Sequence, residues 1–349
     1  MQYATNHFHF LGKHSIIIYL VVIQIFLMLA SSDDFFVLGR EAKPYHQFQA
    51  PAHSQPHDVA LDPSRRGPVW YTAQGAGELG TLDPATGEKR HIPLGNHSAP
   101  NGIIIGPDLG LWITDDLLKA VVRVDQITEQ IKLFPIPVNT TNSKLNAATF
   151  DKNGVLWFTD QSGYYGKLEP KMGKVDVFAA PNGPGPYGIA TTPDGSVYFN
   201  SWNGNYTARI NLENGKLTVL EPPSKDSMPR GIWSDSKGNL WISEWASGKL
   251  AKYSPDTNKW QEWKLPGDKP QPYAVYVDEY NKIWVSDFGI QNNTQSMLRF
   301  DPDNEKFKII PLPSNHSDIR QITGRPGEIW GAQSGIDRLI AFPTGNRTW

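Results

Sequence analysis

Seven aromatic residues, Trp70, Trp112, Trp157, Tyr198, Trp241, Trp284 and Trp330, recur at steps of 42, 45, 41, 43, 43 and 46 residues. Each stands in a unit that opens on Pro-x-Gly-Ile or a close variant, passes through a turn such as Pro193-Asp194-Gly195, and returns along an aromatic-led apolar run. A period near 43 with four short strands per unit is the signature of a β-propeller blade. One unit shows the pattern: Tyr187–Thr192 and Ser196–Ser201 as an antiparallel pair, Ala208–Asn211 as a third strand, an Asn214-Gly215 turn, and Lys216–Leu220 as the fourth. The repeated aromatics are expected to fill the wedges between neighbouring sheets, burying a large apolar area in each.

The seventh unit ends at Leu339–Phe342 without a fourth strand, while Tyr45–Ala50 reads as a fourth strand without a unit. Pairing the two closes the ring and removes free sheet edges. The expected fold is therefore all-β, a seven-bladed β-propeller spanning 44–342, with the N-terminal strand completing the last blade. A C-terminal tail, 343–349, follows.

Ahead of this ring, Ser15–Ala30 is almost unbroken apolar sequence, preceded by Lys13 and followed by Ser31, Ser32, Asp33 and Asp34. That order matches a signal peptide over 1–32, either cleaved or kept as a signal-anchor, with 33–43 as linker. Asn-x-Ser/Thr sequons at Asn96, Asn139, Asn205, Asn292, Asn315 and Asn346 agree with a secreted or cell-surface glycoprotein. The chain has no cysteine, which removes disulfides, zinc-thiolate sites and thiol nucleophiles together. A formal charge of −2 without a basic block argues against nucleic-acid capture. A monomer is expected, with membrane contact only if the apolar segment is retained.

In a propeller the first strand of each blade lines the axis, and the second runs back beside it. The start of the first and the end of the second therefore share one face. The first position gives a polar ring of His57, Asn101, Asn146, Tyr187, Arg230, Tyr273 and Arg320; the second gives Ala73, Asp115, Asp160, Ser201, Glu244, Asp287 and Gln333. A structural position in a repeat keeps one residue type, as the wedge does, whereas asymmetric ligand recognition requires the variation seen in the first ring. Within it, His57 is a candidate base with Arg230 or Arg320 as anion-stabilising partner. Asp115, Asp160, Glu244 and Asp287, together with Asn101 and Asn146, are candidate oxygen ligands for Mg²⁺ or Ca²⁺. The carboxylates have a competing structural role, capping their own loops or pairing with the arginines.

The units "GPYGIATTPDGSVYF", "MPRGIWSDSKGNLWISEWASGKLAKY" and "QPYAVYVDEYNKIWVSDF" resemble those of the virginiamycin B (streptogramin B) lyases over about residues 44–342. The resemblance implies elimination without added water, opening a cyclic depsipeptide at its ester, with a His on one blade, Glu-Pro-His on the next, a nearby Tyr and Mg²⁺. In Gln55-Pro56-His57, His57 matches the second His, while Gln55 stands at the Glu position, Arg320 at the other His and Asn101 at the Tyr. Gln is a poorer ligand for a hard cation than a carboxylate, and Arg does not act as a base at neutral pH. "PNGI" at Pro100–Ile103 also resembles the Ca²⁺-dependent gluconolactonase propellers. Three functions follow as expectations: a carbon–oxygen lyase with Gln55, Asn101, Asn146, Tyr187 and Tyr273 around a small cyclic ester or peptide, a Ca²⁺-dependent lactone hydrolase, or a noncatalytic module that binds an extracellular partner.

Overall fold

The computed structural model describes residues 44–62, 67–137, 143–291 and 294–345. The signal segment 1–32, the linker 33–43, the sequons at Asn139, Asn292 and Asn346, and residues 346–349 lie outside the described residues. Seven four-stranded antiparallel sheets make the fold. Blades 1 to 6 are consecutive meanders whose innermost strands are Pro56–Leu61, Pro100–Ile105, Leu145–Phe150, Pro186–Thr191, Pro229–Ser234 and Pro272–Val277. Blade 7 runs from Ile319–Arg325 through Glu328–Gln333 to Arg338–Pro343, and takes its outermost strand, His46–Gln49, from the other end of the domain. Each innermost strand packs on that of the next blade, and the seventh packs on the first, so the ring is closed.

The closure follows the expected pairing, in the register His46↔Ala341 to Gln49↔Arg338. Blade 4 differs from expectation only at its margins. Its third strand is Tyr206–Ile210 and its fourth is Leu217–Leu220, because Asn211 accepts turn N–H groups and leaves the ladder. The last strand of blade 7 also runs one residue further than expected, to Pro343.

The wedge residues do what their periodicity requires. Trp157 and Trp330 are fully buried, and Trp70, Trp112, Tyr198, Trp241 and Trp284 nearly so. Each packs in an apolar cluster that spans adjoining blades; Trp241, for example, packs with Val275, Val285 and Phe300. The indole N–H of Trp112, Trp157, Trp241 and Trp284 donates to an Asp in the first turn of its own blade, respectively Asp108, Asp151, Asp235 and Asp278. That bond fixes the ring plane and satisfies a donor that burial would otherwise strand. Of the described sequons, Asn96 is exposed, whereas the Asn205 side-chain oxygen accepts from Ser227 Oγ and from the Met228 N–H.

Candidate functional site at the axial mouth

All seven innermost strands break register at the same place, between their first and fourth residues: Pro56/Val59, Pro100/Ile103, Leu145/Ala148, Pro186/Ile189, Pro229/Ile232, Pro272/Val275 and Ile319/Ile322. A bulge frees two residues from the ladder and re-aims their side chains. The first freed residue is the predicted ring member in every blade. A cavity of about 490 Å³ opens at this face, lined by His57, Asn101, Tyr187, Arg230, Tyr273 and Arg320, with Gln55 at its edge. It adjoins an axial channel of about 100 Å³, to which Asn146 contributes and which His57, Tyr187, Tyr273 and Arg320 also line. The ring legible in the sequence is thus brought together at one opening.

The second freed residue is Gly102, Ala147, Gly188, Gly231 or Ala274 in blades 2 to 6. Space demands this: a Cβ on Gly188 would lie 2.4 Å from the Arg230 carbonyl oxygen, and one on Gly231 would lie 2.5 Å from that of Tyr273. Blades 1 and 7 break the rule with Asp58 and Gln321. Gln321 Oε1 accepts the Val59 N–H at 3.0 Å, joining the two blades. Asp58 Oδ1 lies 2.8 Å from His57 Nδ1, and the Asp58 N–H donates to Thr72 Oγ1. A carboxylate on Nδ1 fixes the imidazole's orientation and favours the tautomer with its acceptor at Nε2. Asp58 escaped the sequence reading; its signal was a charged residue where five of seven blades place Gly or Ala.

Aromatic rings fill the far side of the opening. The Arg230 guanidinium carbon lies 4.5 Å from the ring centroid of Trp245, 4.8 Å from that of Tyr273, 5.3 Å from Trp202 and 5.5 Å from Tyr187. Arg320 lies 5.8 Å from the centroids of both Tyr273 and Phe288. The Tyr187 and Tyr273 hydroxyls are hydrogen-bonded to each other. Burial, reinforced by Tyr273, holds the Tyr187 phenol well above its ordinary pKa, so it stays protonated at neutral pH. Trp202, Trp245 and Phe288 escaped the sequence reading although each stands one residue past Ser201, Glu244 or Asp287; their shared step of 43 residues was the signal.

The second ring behaves otherwise. Asp115 accepts the Ala99 N–H at 3.0 Å and the Ser98 hydroxyl; Asp160 accepts the Lys144 N–H at 2.9 Å and the Ser143 hydroxyl. Asp287 accepts from the N–H groups of Gln271 and Gly289, and Glu244 from the Ser247 hydroxyl. These carboxylates clasp the loops that lead into or out of their own blades. The expected pairing with Arg230 or Arg320 does not form among the described residues. Nor do the four gather as metal ligands: among the described residues no group of three or more His, Asp or Glu is placed to hold a metal ion. With Gln55 and Arg320 at positions that the resemblance fills with Glu and His, this donor set does not fit Mg²⁺ or Ca²⁺.

Burial perturbs some of these acids. Asp116, next to Asp115 at the mouth, is pushed up to about 7 by burial and by the charges of Asp115 and Asp160. Burial likewise raises Glu244 to about 7 and lifts Asp287.

Comparison with known proteins places this geometry in context. A family model described as the virginiamycin B lyase family matches residues 46–339. The crystal structure of virginiamycin B lyase from Staphylococcus aureus superposes with a TM-score of 0.76 at 21% identity, covering 86% of this chain and 99% of that one. A streptogramin B lyase structure gives 0.76 at 22% identity, covering 85% and 96%. Over 80 residues the chain is 31% identical to a gluconolactonase of Zymomonas mobilis subsp. mobilis, a match spanning 22% of this chain and 22% of that enzyme's length.

Proposed function

Since the chain belongs to the virginiamycin B lyase family, we propose that its axial mouth opens a small cyclic ester by elimination, with His57 as the base. The observation that carries this reading is His57 Nδ1 held 2.8 Å from Asp58, on a residue lining the same cavity as Arg230 and Arg320. His57 Nε2 takes the proton α to a carbonyl, and the C–H electron pair becomes a carbon–carbon double bond. The β-carbon–oxygen bond breaks and its electrons leave on the carboxylate. Asp58 stabilises the imidazolium formed, and Arg320 faces the negative charge that develops on the substrate. Arg remains cationic at every working pH, so this charge is supplied without proton exchange. No step passes through a divalent cation, because the donor set does not fit one. The apolar segment within 1–32 and the sequons support placing this chemistry outside the cell.

Incubation of the purified chain with a panel of cyclic depsipeptides and lactones tests the reading. Elimination leaves the product mass equal to that of the substrate and creates an unsaturated residue, whereas hydrolysis adds one water and takes up label from H₂¹⁸O. Ring opening at unchanged mass, insensitive to chelator and lost in His57→Gln, is expected. Label uptake with Ca²⁺ dependence would establish the lactone hydrolase instead. Retention of ligand without any ring opening would leave a binding module.

A further inference from the structure

The arginine cage at the mouth has a charge that the protein itself does not answer. Arg320 shares its surroundings with Asp318, whose carboxylate lines the same cavity. Arg230 is in no carboxylate ion pair among the described residues, although it is half-buried and four aromatic rings surround it. Its Nε–H is buried without a partner, and so is the indole Nε1–H of Trp202. The rings offset part of the cost of removing a guanidinium from water, but they provide no oxygen acceptor for either N–H group. Two unanswered donors and one uncompensated cation, walled by flat apolar faces, match a planar anion carried on an apolar or aromatic body. A guanidinium fork suits a carboxylate in particular, and the low-dielectric walls strengthen that contact.

We infer that Arg230, with Trp202 and Trp245, forms a carboxylate-binding subsite, and that the molecule this mouth takes carries a free carboxylate next to an apolar or ring group. This names the ligand class of the pocket and rests on the ring-opening reading for its chemistry, with Arg230 holding the substrate while His57 acts on it. A neutral ring lacking that carboxylate would leave the cage unanswered and bind poorly.

Binding of benzoate, benzamide and inorganic phosphate to the purified full chain tests the assignment, by calorimetry and by the change in tryptophan fluorescence that Trp202→Phe removes. Benzoate is expected to bind at least tenfold more tightly than benzamide and more tightly than phosphate. Arg230→Gln should abolish the preference, while Arg230→Lys, which keeps the charge but loses the fork, should retain part of it. Equal affinity for benzoate and benzamide in the unaltered chain overturns the proposal without any variant. So does a preference that survives Arg230→Gln, and phosphate binding more tightly than benzoate reassigns the cage to a phosphoryl group. Because these probes are bound without turnover, a carboxylate-selective chain that opens no ester refutes the elimination alone. A chain that opens neutral esters and ignores benzoate refutes the carboxylate subsite alone.

Discussion

The wedge and the mouth lie on neighbouring strands of the same blades, the second and the first, and their side chains follow opposite rules. The wedge keeps one flat aromatic in every blade, tied in four of them to an Asp of the first turn. The mouth places seven residues of four types at equivalent bulges, and its neighbours are His–Asp on one side and caged arginine on the other. A wedge is an identical gap repeated seven times, so one shape solves it throughout. The mouth is shared by all blades and faces a single ligand, so repetition there would serve no recognition. Stability should therefore reside in the wedge and chemistry in the mouth, with little crossover.

The sharpest way to break that division is Trp157→Ala. It removes a fully buried indole, and unfolding in denaturant should show a loss of about 3–5 kcal/mol. Ring opening below the new melting point should persist; its disappearance in a folded variant would couple the wedge to the chemistry. His57→Gln comes next: a fall of about 10³-fold in kcat is expected, with the thermal midpoint nearly unmoved. Asp58→Asn should lower kcat by about 10²-fold, because the amide presents its N–H or a neutral oxygen to Nδ1 and no longer stabilises the imidazolium. If Asp58 were merely structural, the loss would appear in the midpoint and kcat would hold.

A smaller effect links the two regions through pH. Asp116 and Glu244 are raised to about 7 in the folded chain from ordinary values of 3.8 and 4.5. Between those values the folded state binds more protons than the unfolded one, so stability must fall as pH rises through the window and be greatest below it. Thermal midpoints recorded from about pH 4 to pH 8 should decline in the unaltered chain and flatten in the Asp116→Asn, Glu244→Gln double variant. A decline of the same slope in both would assign the pH dependence to other groups. Smallest of all, Ser98→Ala removes one clasp on Asp115 and should cost about 1 kcal/mol with no change in kcat.

How much of this was legible beforehand follows from the same contrast. The ring of sheets could be read because a repeated aromatic carries its own register, and the missing and surplus strands at the two ends identified each other. The seven ring members could be read because a leading Pro marks the bulge in five blades, followed by Gly two residues on in three of them. Asp58 could not be placed against His57 from alternation, which sends successive residues to opposite faces; only the bulge turns both to the axis. The acidic ring was half legible. Its residues were found, but Asp115, Asp160 and Asp287 accept loop N–H groups and Glu244 a loop hydroxyl, which loop conformation rather than residue type decides. Trp202 and Trp245 recur at the repeat's own step of 43 residues, but residue type alone does not show that their rings close on Arg230.

Pairing of His46–Gln49 with Arg338–Pro343 sets a schedule for synthesis. Six meanders can form from neighbouring sequence as they leave the ribosome, but the seventh sheet needs both extremities of the domain. Until the last strand has been made, the first has no partner and the arc stays open at one seam. Contacts across nearly the whole domain are slow to form, so the final act of folding should be a single late snap, at the seam where the innermost strands of blades 1 and 7 pack together.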